Sequence, residues 1–247
     1  MRLLKYPTSL IMGKNNYIEQ GVTISKNVII GSNNKIYSGT IIYPNTTIGN
    51  GNVILNDNVL GEHAVNASET FTGKKFGGLS IGNNNFMHVR NLIFSGEYKQ
   101  TKLGDDNKIL AECHIGHDVC IQNNVVLYPK ATIGGLCTLM NYSTVGINAS
   151  IQQKTVIGSF SMIGMGSIAS HSVFPFYIYF NQQYTRPNVA KIPTHLHITE
   201  YDRILKELIA KLRKTECSRE CVASFNMPPS ITNYIYPFID QLSIKKI

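Results

Sequence analysis

The sequence predicts a mostly β protein: a parallel β-helix of short stacked strands, followed by a C-terminal α-helical region. Three observations predict it. Aliphatic residues recur at every sixth position along most of the first 163 residues. Glycine often follows the aliphatic residue, and clusters of glycine and asparagine fill the gaps.

The ladder opens with Ile18, Ile24, Ile30, Ile36, Ile42, Ile48, Ile54 and Leu60. It resumes with Ile81, Met87 and Ile93, then runs from Leu103 through Ile109, Ile115, Ile121, Leu127, Ile133, Leu139, Val145, Ile151 and Ile157 to Ile163. This period is neither that of a helix nor simple alternation. It suits short parallel strands joined by tight turns, each burying one aliphatic side chain. The residue two before the aliphatic is usually small or aliphatic, as in Cys113, Val119, Val125, Ala131 and Cys137, and shares its inward face. Turn segments such as Gly31-Ser-Asn-Asn34 and Gly82-Asn-Asn-Asn85 supply residues that tolerate a left-handed backbone. Three such strands make a coil of about 18 residues, and coils stack as a solenoid.

Two stretches leave the ladder, at 61–80 and 94–102. Each reads either as a tolerated surface loop or as a functional insertion on the binding side. The helix is assigned to residues 1–176 and a mainly helical extension to 177–247. Thr199-Glu200-Tyr201-Asp202 resembles a helix start with a threonine cap, and Ile204, Leu205, Leu208, Ile209 and Leu212 form a stripe at helical spacing. Further helices are expected near 217–226 and 231–242, separated by Pro228-Pro229. The basic face of this tail reads as plain solvation or as a surface for an acidic donor.

The chain has 247 residues, 43% of them apolar, enough for a sizeable core. No apolar run is long enough to span a membrane, and residues 1–12 show no signal-peptide pattern, so a cytoplasmic protein is expected. The net charge of +8 favours an acidic partner, but the basic residues form no long run, and nucleic acid is not expected. Five irregularly spaced cysteines suit reduced thiols.

Histidine has little structural use in such a ladder, which singles out Cys113-His114-Ile115-Gly116-His117-Asp118. Stacking places Gly135, 18 residues on, against His117. A histidine base beside an exposed backbone N–H is the minimum set for acyl transfer, because the one takes the acceptor's proton and the other stabilises the oxyanion. Decorated surface is the plain alternative. A zinc cluster of Cys113, His114, His117 and Cys120 is disfavoured, because Cys113 points inward and His114 outward; no metal is expected.

The phrase His114-Ile115-Gly116-His117-Asp118, continued by Asn123-Asn124 and Ala131-Thr132-Ile133-Gly134-Gly135, resembles the UDP-N-acetylglucosamine acyltransferase family, the first enzymes of lipid A synthesis. The resemblance covers about nine-tenths of the chain. It implies a left-handed winding of the β-helix and a homotrimer with sites in clefts between subunits. It implies an acyl-carrier-protein thioester as donor (acetyl-CoA in relatives), with no tightly bound cofactor. His117 would be the general base, Gly135 the oxyanion donor, and His114 and Asp118 supporting residues. Lys75 and Phe76 keep two positions of a sugar-contacting loop whose acid is replaced by Gly73. Leu136 and Gln152 stand where the family has histidines that touch the sugar. Met165 stands at a glycine that admits long acyl chains, which implies a shorter pocket. Asn181, Arg186 and Asn188 are candidates for a basic motif that is otherwise absent.

The expected function is acyl transfer from an acyl-carrier-protein or CoA thioester to the sugar of a nucleotide sugar such as UDP-N-acetylglucosamine. One alternative is acetyl-CoA-dependent N-acetylation of a UDP- or dTDP-linked amino-deoxysugar. Another is a non-catalytic β-helix binding protein.

Overall fold

The structure, a computed structural model, describes residues 10–63, 77–212 and 218–244. Short parallel strands stack into three sheets. The first sheet runs in eight strands from Ile11–Met12 to Val156–Ile157. The second has ten, from Tyr17–Ile18 to the hairpin Tyr177–Phe180 and Gln183–Pro187. The third has eight, from Thr23–Ile24 to Ile168–Ala169. Within a sheet, after its first strand, each strand up to Met162–Ile163 pairs with the one three before it in the chain, so one coil visits all three sheets.

The inward hexad column stays in register from coil to coil, with one bulge at Gly61, where Phe94 pairs with Glu62. Ile93, Ile115 and Ile133 lie side by side on successive coils. Ile30 through Ile163 are buried along the inward column, whereas Ile18 and Ile24 at the N-terminal end are only partly so. The second inward column, Cys113, Val119, Val125, Ala131 and Cys137, is buried beside it. Each buried aliphatic side chain stabilises the coil by about 1.5–3 kcal/mol.

Asparagine and glycine take many of the left-handed corner positions, as the sequence implied, Gly39 (φ 76) and Gly51 (φ 68) among them. The left-handed residue falls three positions after the aliphatic, on Asn33 (φ 61), Asn84 (φ 55), Lys130 (φ 63) and even Phe160 (φ 60). The glycine directly after the aliphatic is needed for closeness instead. A Cβ on Gly31 would meet the Gly49 carbonyl oxygen at 2.5 Å.

A spine of asparagines runs inside one edge. Asn34 Nδ2 donates to Asn16 Oδ1 (3.1 Å), Asn52 Nδ2 to Asn34 Oδ1 (2.9 Å) and Asn85 Nδ2 to Asn52 Oδ1 (3.0 Å). Asn85 Oδ1 in turn accepts the Asn107 N–H at 2.9 Å. Both loops are inserted without loss of register: Asn91 stacks on Asn58 across 61–80, and the Cys113 N–H reaches Asn91 across 94–102.

The sheet continues past the 176/177 boundary. Tyr177–Phe180 pairs with Met162–Ile163, and Tyr179 takes the inward position after Ile163 and is buried. Helices α1 (Asp202–Leu212), α2 (Arg219–Ala223) and α3 (Pro229–Ile244) pack over Val156, Phe160, Phe174 and Phe176 as a second core. Thr199 does not cap α1. A 3-10 turn, Ile198–Tyr201, intervenes, and Asp202 starts the helix while accepting from the Tyr177 hydroxyl at 2.7 Å. The second helix is shorter than expected and is capped by Ser218, whose Oγ accepts the Cys221 N–H. Pro229 opens α3, where its missing N–H costs nothing. Among the described residues no helix is long and apolar enough to cross a membrane.

Replacing Asn85 with alanine strands the buried Asn107 N–H and removes the donor to the Gly104 carbonyl. Urea unfolding should show a loss of about 1–3 kcal/mol. An unchanged midpoint would mean that the spine contributes no stability.

Candidate active site

His117 and Asp118 follow the strand His114–Ile115, at the corner where the third sheet passes to the first. Asp118 takes the left-handed corner conformation (φ 58) and is completely buried against the 94–102 loop. Its Oδ1 accepts the N–H groups of Tyr98 (3.0 Å) and Lys99 (2.5 Å). Its Oδ2 accepts the Glu97 N–H (3.1 Å) and meets His117 Nδ1 at 2.7 Å. The Asp118 N–H donates to Thr101 Oγ1.

Burial alone would raise the Asp118 pKa. The hydrogen bonds from His117 and from the Lys99, Glu97 and Tyr98 N–H groups outweigh it and hold the carboxyl below its ordinary value. An ionised Asp118 can only accept, so neutral His117 carries its proton on Nδ1 and keeps the Nε2 lone pair. Nε2 faces the next coil, where a Cβ on Gly135 would stand 2.6 Å from it. The Gly135 N–H meets no acceptor among the described residues, although its carbonyl accepts from the Lys154 N–H. A base and a vacant N–H thus lie side by side on adjacent coils.

His114 is outward on the same strand, half-buried, with its ring 5.2 Å from that of Phe94, and burial lowers its pKa. Cys113 faces the core and donates to the Tyr128 carbonyl at 3.2 Å, while burial pushes its thiol up to about 11. These two side chains point to opposite faces, as the register requires. Leu136 is tied to His117 by its N–H, which donates to the His117 carbonyl at 2.9 Å. Gln152 is exposed near the same corner, two coils beyond Gly116.

Other expected site residues are not brought to His117. Met165, 64% exposed, stands on a different corner, between the second and third sheets. Asn181 lies exposed at the tip of the Tyr177–Pro187 hairpin, and Arg186 is exposed on its second strand. Asn188 is buried, and its side-chain amide donates to the Phe160 carbonyl at 2.8 Å. Lys75, Phe76 and Gly73 lie outside the described residues.

The sequence reading missed the part played by the 94–102 loop, which binds Asp118 through its backbone. The available signal was positional, since the loop precedes Asp118 by one coil.

The family described as bacterial transferase hexapeptide (six repeats) matches residues 100–135, a stretch that holds both His117 and Gly135. An acyl-[acyl-carrier-protein]–UDP-N-acetylglucosamine O-acyltransferase of Nautilia profundicola is 39% identical over 129 residues, covering 50% of either chain. This stretch of the chain resembles the UDP-N-acetylglucosamine acyltransferases. The chain thus spans about half the length of that curated relative. Solved structures extend the likeness of fold. The UDP-N-acetylglucosamine acyltransferase from Bacteroides fragilis superposes with a TM-score of 0.79 at 23% identity, covering 95% of this chain and 92% of that one. The one from Campylobacter jejuni gives 0.73 at 25% identity, covering 96% and 94%.

Asp118→Asn tests the anchor. The folded pKa of Asp118 is lowered, so its contribution is present above the ordinary carboxylate pKa and lost as pH falls through the folded value. The asparagine variant should be less stable than the parent by about 1–3 kcal/mol at neutral pH. The gap should narrow below about pH 4. Denaturant curves at both pH values check this; a gap that stays constant in acid would contradict it.

Proposed function

We propose that the chain is an acyltransferase that moves an acyl group from an acyl-carrier-protein thioester to a hydroxyl of UDP-N-acetylglucosamine. The observation that carries this reading is the orientation of His117: the buried Asp118 holds Nδ1, and Nε2 stands against Gly135. The names of the relatives that match the segment around it support the substrate pair.

In this mechanism His117 Nε2 takes the proton of the sugar hydroxyl as its oxygen attacks the thioester carbonyl carbon. The carbonyl electrons move onto oxygen, where the Gly135 N–H stabilises the charge. The tetrahedral intermediate collapses, the C–S bond breaks, and the His117 imidazolium returns its proton to the leaving thiolate. Base, oxyanion and proton return are thereby served by one ring and one backbone N–H.

The placement of Met165 supports assembly with further copies of the chain. His117 and Met165 occupy different corners, so for both to line one site a second copy of the chain, as in a homotrimer, must supply one of them. A second reading, N-acetylation of a nucleotide-linked amino-deoxysugar from acetyl-CoA, is favoured by the half-buried apolar Leu136 beside His117 and by the bulk of Met165.

A panel of acyl-carrier-protein thioesters and acetyl-CoA, offered with UDP-N-acetylglucosamine and with UDP- and dTDP-amino-sugars, decides between them. His117→Ala should lower kcat by about 10²–10⁴-fold on the accepted pair. Gly135→Ala should also lower it, since its Cβ collides with the imidazole. Full activity of His117→Ala on a proven substrate would sink the mechanism.

A further inference from the structure

A second carboxylate stands beside the imidazole of His117. Glu97 Oε2 lies 3.8 Å from Nδ1, on the side already occupied by Asp118 Oδ2 at 2.7 Å. Both side chains are shielded: Glu97 is 14% exposed and Asp118 not at all. Glu97 is held there by its own backbone, whose N–H donates to Asp118 Oδ2.

The two acids are not equivalent. Asp118 distributes its lone pairs over three backbone N–H groups and Nδ1, so much of its charge is engaged in holding the loop. The contact of Glu97 with the ring is too long for a hydrogen bond and is a charge contact. Such a contact does little for a neutral imidazole and favours an imidazolium. The Tyr98 ring lies 6.4 Å away, and the next coil presents Gly135 and Leu136, which carry no charge.

We propose that Glu97 is a positioning residue that stabilises the His117 imidazolium formed when the base accepts the acceptor's proton. The proposal rests on the general-base role of His117. Asp118 fixes the tautomer and the loop; Glu97 supplies the counter-charge. Nothing in the hexad pattern reveals this, because Glu97 belongs to the loop outside it.

The test is Glu97→Gln in the full chain, which keeps the shape and removes the charge. The pH at which the His117 ring signals titrate by NMR should move down relative to the parent. On a proven acyl donor and acceptor, kcat should fall about tenfold with KM within about twofold. The thermal midpoint should stay where it is, in contrast to Asp118→Asn. Ring signals that titrate at the parent's pH overturn the proposal, whether or not the chain turns over any substrate. So does a fall in kcat matched by a fall in thermal midpoint. If the titration shifts but the parent transfers no acyl group to any acceptor, the counter-charge stands and the proposed function fails.

Discussion

Each strand donates its N–H groups to carbonyls on the next coil, and the distances at the site follow from that stacking. The Gly116 N–H reaches forward to the Ile133 carbonyl, and at the corner the Leu136 N–H reaches back to the His117 carbonyl, both at 2.9 Å. Coils are thereby held about 4.8 Å apart. A Cβ at Gly31, Gly82 or Gly134 would collide with the neighbouring coil. The same spacing brings Gly135 within reach of the His117 ring. The ladder sets His117 and Gly135 on adjacent coils, and the ring is then turned toward Gly135 by its contact with Asp118.

What the ladder does not supply is a fixed imidazole. A corner residue projects outward, where rotamers are free. The 94–102 loop removes that freedom by folding back over the corner and surrounding Asp118 with N–H groups. The energetic cost of burying a carboxylate is offset by these bonds, in keeping with the rule that buried charge persists only when paired. The structure thus combines a repetitive frame, which sets position, with one irregular loop, which sets orientation.

This division explains what was legible in the sequence. The inward columns, the sheet register and the His117–Gly135 approach follow from a period of six, because stacking converts spacing directly into contact. The opposed faces of Cys113 and His114 follow from alternation. The roles of Glu97, Tyr98 and Thr101 did not, because a loop outside the repeat has no register from which to read its contacts. The buried position of Asn188 was not legible for a related reason: beyond Ala169 the hexad no longer says which side is inside, and the Asn188 amide donates to the Phe160 carbonyl. The start of α1 was misplaced because the threonine signal marks a 3-10 turn that precedes the α-helix.

The asparagine spine occupies the coils before the site, and the three helices cover the coils after it. In a stack whose units touch only their neighbours, fraying begins at the ends and is slowed by whatever fastens them. The coil of His117 sits between two fastened ends. Fraying that starts at either end of the described stack must therefore cross several coils before it reaches His117.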